Sequence, residues 1–229
     1  MDSARSEVRE PAKAGSLVRA LGTVVPGMRR SADQISDDST EWQRRNERAI
    51  TSDLPLWVAL GDSLAQGVGA SSIDQGYISL LGREDLQHHA LMNFSASGAK
   101  INDVIVNQLP LLDLLPRDAS LVTCTVGSND LLRSLSIGAA RRSIDLLISR
   151  LPHSTVIATV PDRGSLMAKK LNRAITASAR DRGMRVARVN EHMTSWKGYV
   201  AGDGFHPNDN GYQRWATAFR QALAEPVPG

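Results

Sequence analysis

The sequence predicts an α/β fold, a three-layer α/β/α sandwich with a parallel sheet between two layers of helices. Two observations support this prediction. Short apolar runs such as Leu56-Trp57-Val58-Ala59-Leu60 recur along the chain and end at glycine or proline, as strands buried on both faces do. Longer segments with apolar residues at helical spacing lie between these runs. Strands and helices that alternate in this way form parallel βαβ crossovers.

Each predicted element has its own local signal. The predicted strands span residues 56–60, 90–94, 121–126, 155–160 and 184–189. A helix is predicted after Ser63, and further helices over residues 100–109, 137–151, 166–182 and 208–224. Pro161 closes the fourth strand, and Gly183 ends the helix before the fifth. These elements place a compact domain at residues 54–229.

Residues 1–53 are predicted to form an N-terminal extension that is partly disordered and carries short helices. Residues 1–15 are polar, charged and without periodicity. Apolar residues between positions 17 and 25 show helical spacing that Pro26 stops, and Trp42 and Ile50 are candidate anchors in the charged stretch that follows. We expect the extension to pack loosely on the domain or to cover part of it.

Composition and charge limit the functional classes. The 229 residues carry a net charge of +3 and one cysteine, Cys124, which excludes an intrachain disulfide and a cysteine-based zinc site. Residues 141–188 hold eleven Lys or Arg against three Asp. Two solvated helix faces would explain this basic block, and so would attraction of an anionic substrate or a phosphate-bearing acyl donor. Nucleic acid is disfavoured because no aromatic stacking pattern accompanies the charge.

The N-terminal residues favour a cytoplasmic protein without an integral membrane segment. The uncharged stretch at residues 20–28 is short and is interrupted by Gly22, Pro26 and Gly27. Glu7 and Glu10 stand where a secretory signal would carry positive charge.

Three motifs supply the groups that acyl transfer through a serine ester requires. They are Gly61-Asp62-Ser63-Leu64, Gly127-Ser128-Asn129-Asp130 and Asp203-Gly204-Phe205-His206. A serine hydroxyl needs a base to take its proton, and His206 has a carboxylate three residues earlier that can fix its tautomer. We therefore predict Ser63, His206 and Asp203 as the catalytic triad.

The developing oxyanion also needs donors. The candidates are the backbone N–H groups of Ser63 and Gly98 and the side-chain amide of Asn129. All three residues follow predicted strands, and ligands bind at the carboxyl edge of open parallel sheets. We expect these donors to lie beside the triad.

On these motifs the chain resembles the SGNH hydrolase superfamily, also called GDSL lipases and esterases. The second family block resembles Asn93-Phe94-Ser95-Ala96-Ser97-Gly98, and all four blocks occur in order within residues 54–224. The resemblance implies a flavodoxin-like sandwich and ester hydrolysis or acyl transfer with no metal and no cofactor. Ala65 occupies the last position of a Gly-x-Ser-x-Gly pattern, which speaks against an α/β-hydrolase elbow.

A narrower resemblance involves the N-terminal residues. The chain is similar there to cytoplasmic actinobacterial members, in the stretch Val25-Pro26-Gly27-Met28-Arg29-Arg30 and then in Gln34-Ile35, Trp42, Arg45-Asn46 and Pro55-Leu56-Trp57. One of these is a mycobacterial octanoyltransferase acting on glucosylglycerate. This resemblance implies acyl-CoA as a donor substrate and a sugar hydroxyl as acceptor. The candidate substrate-binding residues are Arg163, Lys169, Lys170, Trp196 and Tyr199.

The sequence leaves three functions open. The first is a serine esterase or acyltransferase that transfers a medium-chain acyl group to a sugar hydroxyl. The second is a plain carboxylesterase, lipase or carbohydrate deacetylase, which shares the same first half-reaction. The third is a carbohydrate- or lipid-binding module without turnover, which the complete set of catalytic residues disfavours. The oligomeric state and the identity of the acyl chain do not follow from the sequence.

Overall fold

The computed structural model describes residues 26–132 and 136–226, and its centre is one parallel sheet. The strands are β1 (Leu56–Gly61), β2 (Ala90–Asn93), β3 (Ala119–Thr125), β4 (Thr155–Ala158) and β5 (Arg185–Ala187). They lie in the order β2-β1-β3-β4-β5, and each pairing is parallel. The predicted parallel sheet is therefore confirmed.

Helices cover both faces of the sheet. They are α1 (Pro26–Ile50), α2 (Ser63–Gln66), α3 (Tyr77–Glu84), α4 (Ser128–Leu132), α5 (Ile137–Arg150), α6 (Leu166–Asp181), α7 (Val189–His192) and α8 (Asp209–Ala224). One core contains Leu171 of α6 and Ile144 of α5, and the other contains Tyr77 of α3 and Trp215 of α8. The two cores lie on opposite sides of the sheet, as a three-layer α/β/α sandwich requires.

Two predicted features differ in detail. The helix predicted at residues 100–109 is a helical stretch that changes geometry twice, from an α-helical turn to a π turn and then to a 3₁₀ turn ending at Leu114. Pro110 lies within it and cannot donate a backbone hydrogen bond to a regular helix. Helix α3 was not predicted, because its apolar residues from Tyr77 to Leu81 are clustered rather than spaced at helical intervals.

The N-terminal extension differs more strongly from the prediction. Residues 26–50 form one helix of 25 residues, not short helices. Pro26 begins this helix, because the first helical position needs no N–H donor. Ile35, Trp42 and Ala49, spaced seven residues apart, are buried on one face. The apolar spacing predicted for residues 17–25 lies outside the described residues.

Helix α1 packs firmly along the edge of the sheet. Ala49 belongs to one core and Trp42 to the other, so the helix spans the edge at β2. The Asn46 side chain pairs with the backbone of Asn93 in β2, donating from Nδ2 to the carbonyl at 2.9 Å and accepting from the N–H at 2.7 Å. An edge strand with unpaired backbone groups is thereby covered. Within the described ranges, no helix has both the length and the apolar character to cross a membrane.

Candidate active site

The topology brings the predicted motifs to one place. Ser63 follows β1, and Asn129 lies in α4 directly after β3. These strands are neighbours, and the strand order reverses between them, since β2 lies on one side and β4 on the other. A crevice opens at such a point at the carboxyl ends of the strands, where ligands of doubly wound sheets bind.

The nucleophile candidate begins a short helix. Asp62 caps α2 by accepting a hydrogen bond from the Leu64 backbone N–H at 3.0 Å. The cap places Ser63 at the first helical position, where the residue is 4% exposed. Its Oγ lies 2.9 Å from Nε2 of His206, 143 residues further along the chain.

The second contact of the triad joins His206 to Asp203. His206 Nδ1 lies 2.6 Å from Oδ2 of Asp203. Oδ1 of Asp203 accepts from the backbone N–H groups of Phe205 at 2.9 Å and His206 at 3.0 Å, so a tight loop fixes the carboxylate. The three predicted catalytic side chains therefore form one continuous chain of hydrogen bonds.

The Asp203 carboxylate is held in its charged form. Burial alone would raise the pKa of Asp203, but hydrogen bonds from His206, Ser31 and the Phe205 backbone, together with the charge of His206, lower that pKa well below its usual range. An ionised Asp203 accepts a hydrogen bond from Nδ1–H of the imidazole. Nε2 is then free to accept the Ser63 hydroxyl proton.

Gly69 provides the space in which the histidine sits. Its φ angle is +95°, and a Cβ at this position would lie 2.6 Å from both the Cβ of His206 and the carbonyl oxygen of Pro207. Real Cβ atoms do not approach so closely. Only glycine therefore allows the His206 backbone to lie this close to the loop after α2.

The oxyanion side is more open. Gly98 is exposed, has a φ angle of +81°, and has no heavy atom within 4 Å of the position a Cβ would occupy. The Asn129 side chain donates from Nδ2 to the Ala99 carbonyl at 3.0 Å and lies 3.4 Å from Oδ2 of Asp62. These contacts join the Gly98 loop to α4 and to the turn that carries Ser63.

Asp62 is buried between the triad and the candidate oxyanion residues. Burial raises its pKa to about 7, and the nearby charge of Asp130 acts in the same direction. Oδ1 of Asp62 caps the nucleophile helix, while Oδ2 faces the Asn129 amide. The sequence marks this residue as part of a motif but not as a buried carboxyl group.

The candidate substrate-binding residues make different contacts. The Arg163 guanidinium lies over the Trp196 ring at 4.8 Å, and the Arg214 guanidinium lies over the Tyr199 ring at 4.2 Å. Arg163 and Trp196 are thus brought together. Tyr199 is engaged by a different arginine.

Lys169 contributes to a basic groove beside α6. The groove has a volume of about 480 Å³, and its basic side chains are those of Lys169, Arg173, Arg180 and Arg188. Asp162 and Asn190, which follow the carboxyl ends of β4 and β5, line the same groove, so it opens at the edge of the sheet that carries Ser63. Arg163 and the exposed Lys170 lie outside its lining.

Sequence reasoning missed the contacts that α1 makes with the site. Ser31 donates from Oγ to Oδ2 of Asp203 at 2.7 Å. Gln34 accepts from the Gly69 N–H at 3.0 Å and donates to the Ala70 carbonyl at 3.2 Å. The Ser31 contact joins residues 172 positions apart, and no motif marks Ser31. Gln34 belongs to the N-terminal stretch that carries the narrower resemblance, but no contact with the site was predicted for it. Recognising residues 26–50 as one amphipathic helix would have indicated which of its residues face the domain.

Comparison with known proteins agrees with the fold and the motifs. The GDSL-like Lipase/Acylhydrolase family matches residues 59–214. The spore germination lipase LipC of Bacillus licheniformis is 36% identical over 87 residues, which cover 35% of this chain and 41% of the lipase. The chain therefore matches less than half the length of this relative.

Solved structures show the same fold over most of the chain. TesA superposes with a TM-score of 0.64 at 20% identity, covering 74% of this chain and 98% of TesA. A lipase/acylhydrolase from Enterococcus faecalis gives 0.59 at 18% identity, with 76% and 99% covered. The acetylxylan esterase Axe2 from Geobacillus stearothermophilus gives 0.58 at 14%, with 79% and 99% covered. Because the family match spans more than half of the sequence, the chain belongs to the GDSL-like lipase/acylhydrolase family.

Proposed function

We propose that the protein acts on acyl esters through a covalent acyl-Ser63 intermediate. The observation that carries this proposal is the continuous contact from Ser63 Oγ to His206 Nε2 at 2.9 Å and from His206 Nδ1 to Asp203 Oδ2 at 2.6 Å. Nucleophile, base and orienting carboxylate are within hydrogen-bond reach of one another before any substrate binds. A binding module would not need this arrangement.

The proposed first half-reaction uses Ser63 as the nucleophile and His206 as the base. Ser63 Oγ attacks the carbonyl carbon of the ester while its proton passes to Nε2 of His206. In this proposal the backbone N–H groups of Ser63 and Gly98 and the Asn129 amide stabilise the oxyanion that forms. When the tetrahedral intermediate collapses, the bond to the leaving group breaks, and that group takes the proton from His206. Ser63 is then esterified.

The second half-reaction returns the enzyme to its starting state. A hydroxyl group attacks the acyl-Ser63 carbonyl, and its proton passes to Nε2 of His206. Ser63 Oγ then leaves and recovers that proton. Water as the attacking group gives hydrolysis, whereas a sugar hydroxyl gives acyl transfer.

The finer proposal is transfer of a medium-chain acyl group from acyl-CoA to a sugar hydroxyl such as that of glucosylglycerate. The basic groove beside α6 supports it, because its lining holds four cationic side chains against two acidic ones, Asp162 and Glu191. The phosphates of a coenzyme A donor or the carboxylate of a glycerate acceptor would be attracted there. No cofactor other than this donor substrate is included in the proposal.

The general proposal is tested with a fluorophosphonate probe and neutral p-nitrophenyl esters. Wild-type protein should hydrolyse the esters and become labelled at Ser63, and Ser63→Ala should do neither. Labelling at another residue, or none at all in folded protein, would favour the non-catalytic binding module. Acyl-CoA with and without glucosylglycerate then separates transfer from hydrolysis by the product formed.

The role of the basic groove in binding an anionic substrate is tested by removing two of its positive charges. The double variant Lys169→Ala with Arg173→Ala should raise KM for acyl-CoA by roughly five- to tenfold, since each exposed ion pair contributes up to about 1 kcal/mol. The effect should shrink at high salt and be absent for a neutral ester. Arg141→Ala with Arg142→Ala removes equal charge from α5, outside the groove, and serves as the control. Equal effects in both double variants would show that only net charge matters.

A further inference from the structure

Helix α1 lies outside the part of the chain that the family shares. The family match begins at residue 59, whereas α1 ends at Ile50. TesA and Axe2 are covered over 98% and 99% of their lengths, yet they cover only 74% and 79% of this chain. An element outside the family match that contacts the site can therefore add a function which the family motifs do not encode.

The C-terminal half of α1 fastens the helix to segments next to the nucleophile. Trp42 Nε1 donates to the Gln66 carbonyl at 3.0 Å, at the last residue of α2. Gln66 in turn donates from Nε2 to the Ser95 carbonyl at 3.1 Å, in the loop leading to Gly98. With the two bonds between Asn46 and Asn93, these contacts fix where the helix lies.

The N-terminal half reaches the acid–base side of the site. Gln34 makes two hydrogen bonds to the loop containing Gly69, the residue against which His206 packs. One turn earlier, the Ser31 hydroxyl donates to Oδ2 of Asp203. The helix therefore contacts both the segment beneath the imidazole and the carboxylate that orients it.

The atom that Ser31 contacts is the one that matters for orientation. Oδ2 of Asp203 accepts from His206 Nδ1 at 2.6 Å and from Ser31 Oγ at 2.7 Å. The other oxygen is held by the backbone of the 203–206 loop. Ser31 is 8% exposed, so water does not readily replace its hydroxyl. With both oxygens anchored, the carboxylate cannot rotate away from the imidazole.

We propose that Ser31 is a positioning residue for the triad, so that α1 completes a four-member chain of Ser31, Asp203, His206 and Ser63. This inference rests on the proposed function of that triad. Ser31 acts through Asp203 by holding Oδ2 in line with Nδ1 of the imidazole. Productive alignment of His206 therefore depends on a segment that the family match does not include.

The first test compares two serines of the same helix. Ser31→Ala should lower kcat for a p-nitrophenyl ester about tenfold and leave KM unchanged, as expected for loss of one hydrogen bond to a charged group. Ser39→Ala is the matched control, because Ser39 is equally buried and its hydroxyl has no partner among the described residues. It should keep wild-type kcat. Ser31→Thr, which retains the hydroxyl, should recover most of the lost rate.

A double-mutant cycle separates positioning from general stabilisation. In an Asp203→Ala background, Ser31→Ala should cause no further loss of kcat, because Ser31 acts on His206 only through the Asp203 carboxylate. A full tenfold loss in that background would overturn the proposal, and so would wild-type kcat in Ser31→Ala alone. Melting temperatures of all variants establish that each is folded.

An activity-independent measurement distinguishes failure of this inference from failure of the proposed function. The proton between His206 Nδ1 and Asp203 should give a far-downfield NMR resonance, assigned by its loss in His206→Ala. Ser31→Ala should shift or broaden it, and Ser39→Ala should not. An unchanged resonance in Ser31→Ala overturns the positioning role even if the enzyme turns over esters. A shifted resonance in a protein whose Ser63 is inert supports the positioning role and rejects the proposed chemistry.

Discussion

Ser63 lies between an acid–base side, formed by His206 and Asp203, and an oxyanion side, formed by Gly98 and Asn129. The acid–base side is much more tightly packed. On the acid–base side, Asp203 accepts four hydrogen bonds, and Gly69 fits closely against His206. On the oxyanion side, Gly98 is exposed with open space above it, and Asn129 is only partly buried. The acid–base side is held by hydrogen bonds and packing from three distant segments. The oxyanion side is partly exposed to solvent.

This difference matches what each side must do. Proton transfer requires nucleophile and base to be aligned before substrate arrives, and small displacements are costly. The oxyanion donors must instead leave room for a carbonyl group to enter and to rehybridise. Substitutions on the acid–base side should therefore change alignment. Those on the oxyanion side should change stabilisation of the charge that develops.

The largest expected effect comes from breaking the acid–base side at its centre. Ser63→Ala or His206→Ala should each lower kcat by roughly 10⁴-fold or more while the protein stays folded, as in other serine triads. The double variant should be little worse than either single variant, because the residues act as one unit. Steady-state kinetics with a p-nitrophenyl ester measure this. Near wild-type kcat in Ser63→Ala would remove the nucleophile assignment.

The next effect tests the oxyanion side. Asn129→Ala should lower kcat by about 10²- to 10³-fold with little change in KM, because its amide acts on charge that appears only in the transition state. Measuring kcat and KM for one neutral ester tests whether Asn129 acts on the transition state. A change confined to KM would instead make Asn129 a substrate-binding residue.

Substituting Gly69, which packs against His206, should lower kcat about as much as Asn129→Ala does. Gly69→Ala places a methyl group 2.6 Å from the His206 Cβ, and a displacement of about 1 Å costs on the order of 10² in rate. Gly198→Ala is the control, since it has a similar positive φ of +82° but open space around it. Both variants share the backbone strain, so only the steric effect on His206 differs. Similar kcat in the two variants would show that His206 tolerates displacement.

The last effect concerns the stability of the fold rather than the rate, at Asp62. Burial raises the pKa of Asp62 from 3.8 to about 7, so the folded state binds a proton more tightly than the unfolded state. Stability should therefore fall as pH rises from about 4 to about 7, by at most about 4 kcal/mol from this group. Asp62→Asn, which keeps a capping oxygen but no charge, should flatten this slope and raise stability at pH 8.

Urea unfolding at several pH values measures the effect of Asp62. Asp62→Ala is the matched comparison, because it removes both the charge and the cap and should be about 1 kcal/mol less stable than Asp62→Asn. An unchanged slope in both variants would mean that Asp62 is not the group whose burial matters.

Much of this arrangement could be predicted from the sequence, because the relevant signals are local. Each strand is a short apolar run, and Ser63 and Asn129 lie within two to four residues of the strand ends. Asp203 and His206 are three residues apart, so one loop brings them together. Parallel topology then places the carboxyl ends of β1 and β3 side by side.

The parts that could not be predicted depend on distant contacts. The charged residues of α1 conceal a buried stripe that repeats every seven residues, and the contact of Ser31 with Asp203 spans 172 positions. The turns after Ile101 change geometry twice within one stretch that carries Pro110, and no sequence period marks these changes. Among the predicted substrate contacts, Lys169 lines the basic groove but Lys170 does not, because neighbouring helical residues face different directions.

The central claim is that Ser63 becomes acylated during turnover. Rapid mixing with a p-nitrophenyl ester, followed by acid quench and intact-mass measurement, tests it most directly. We predict a burst of p-nitrophenol and a mass increase equal to one acyl group, located on the peptide containing Ser63 and absent in Ser63→Ala. Turnover at the wild-type rate with acylation at another residue, or with the same burst in Ser63→Ala, would contradict the account.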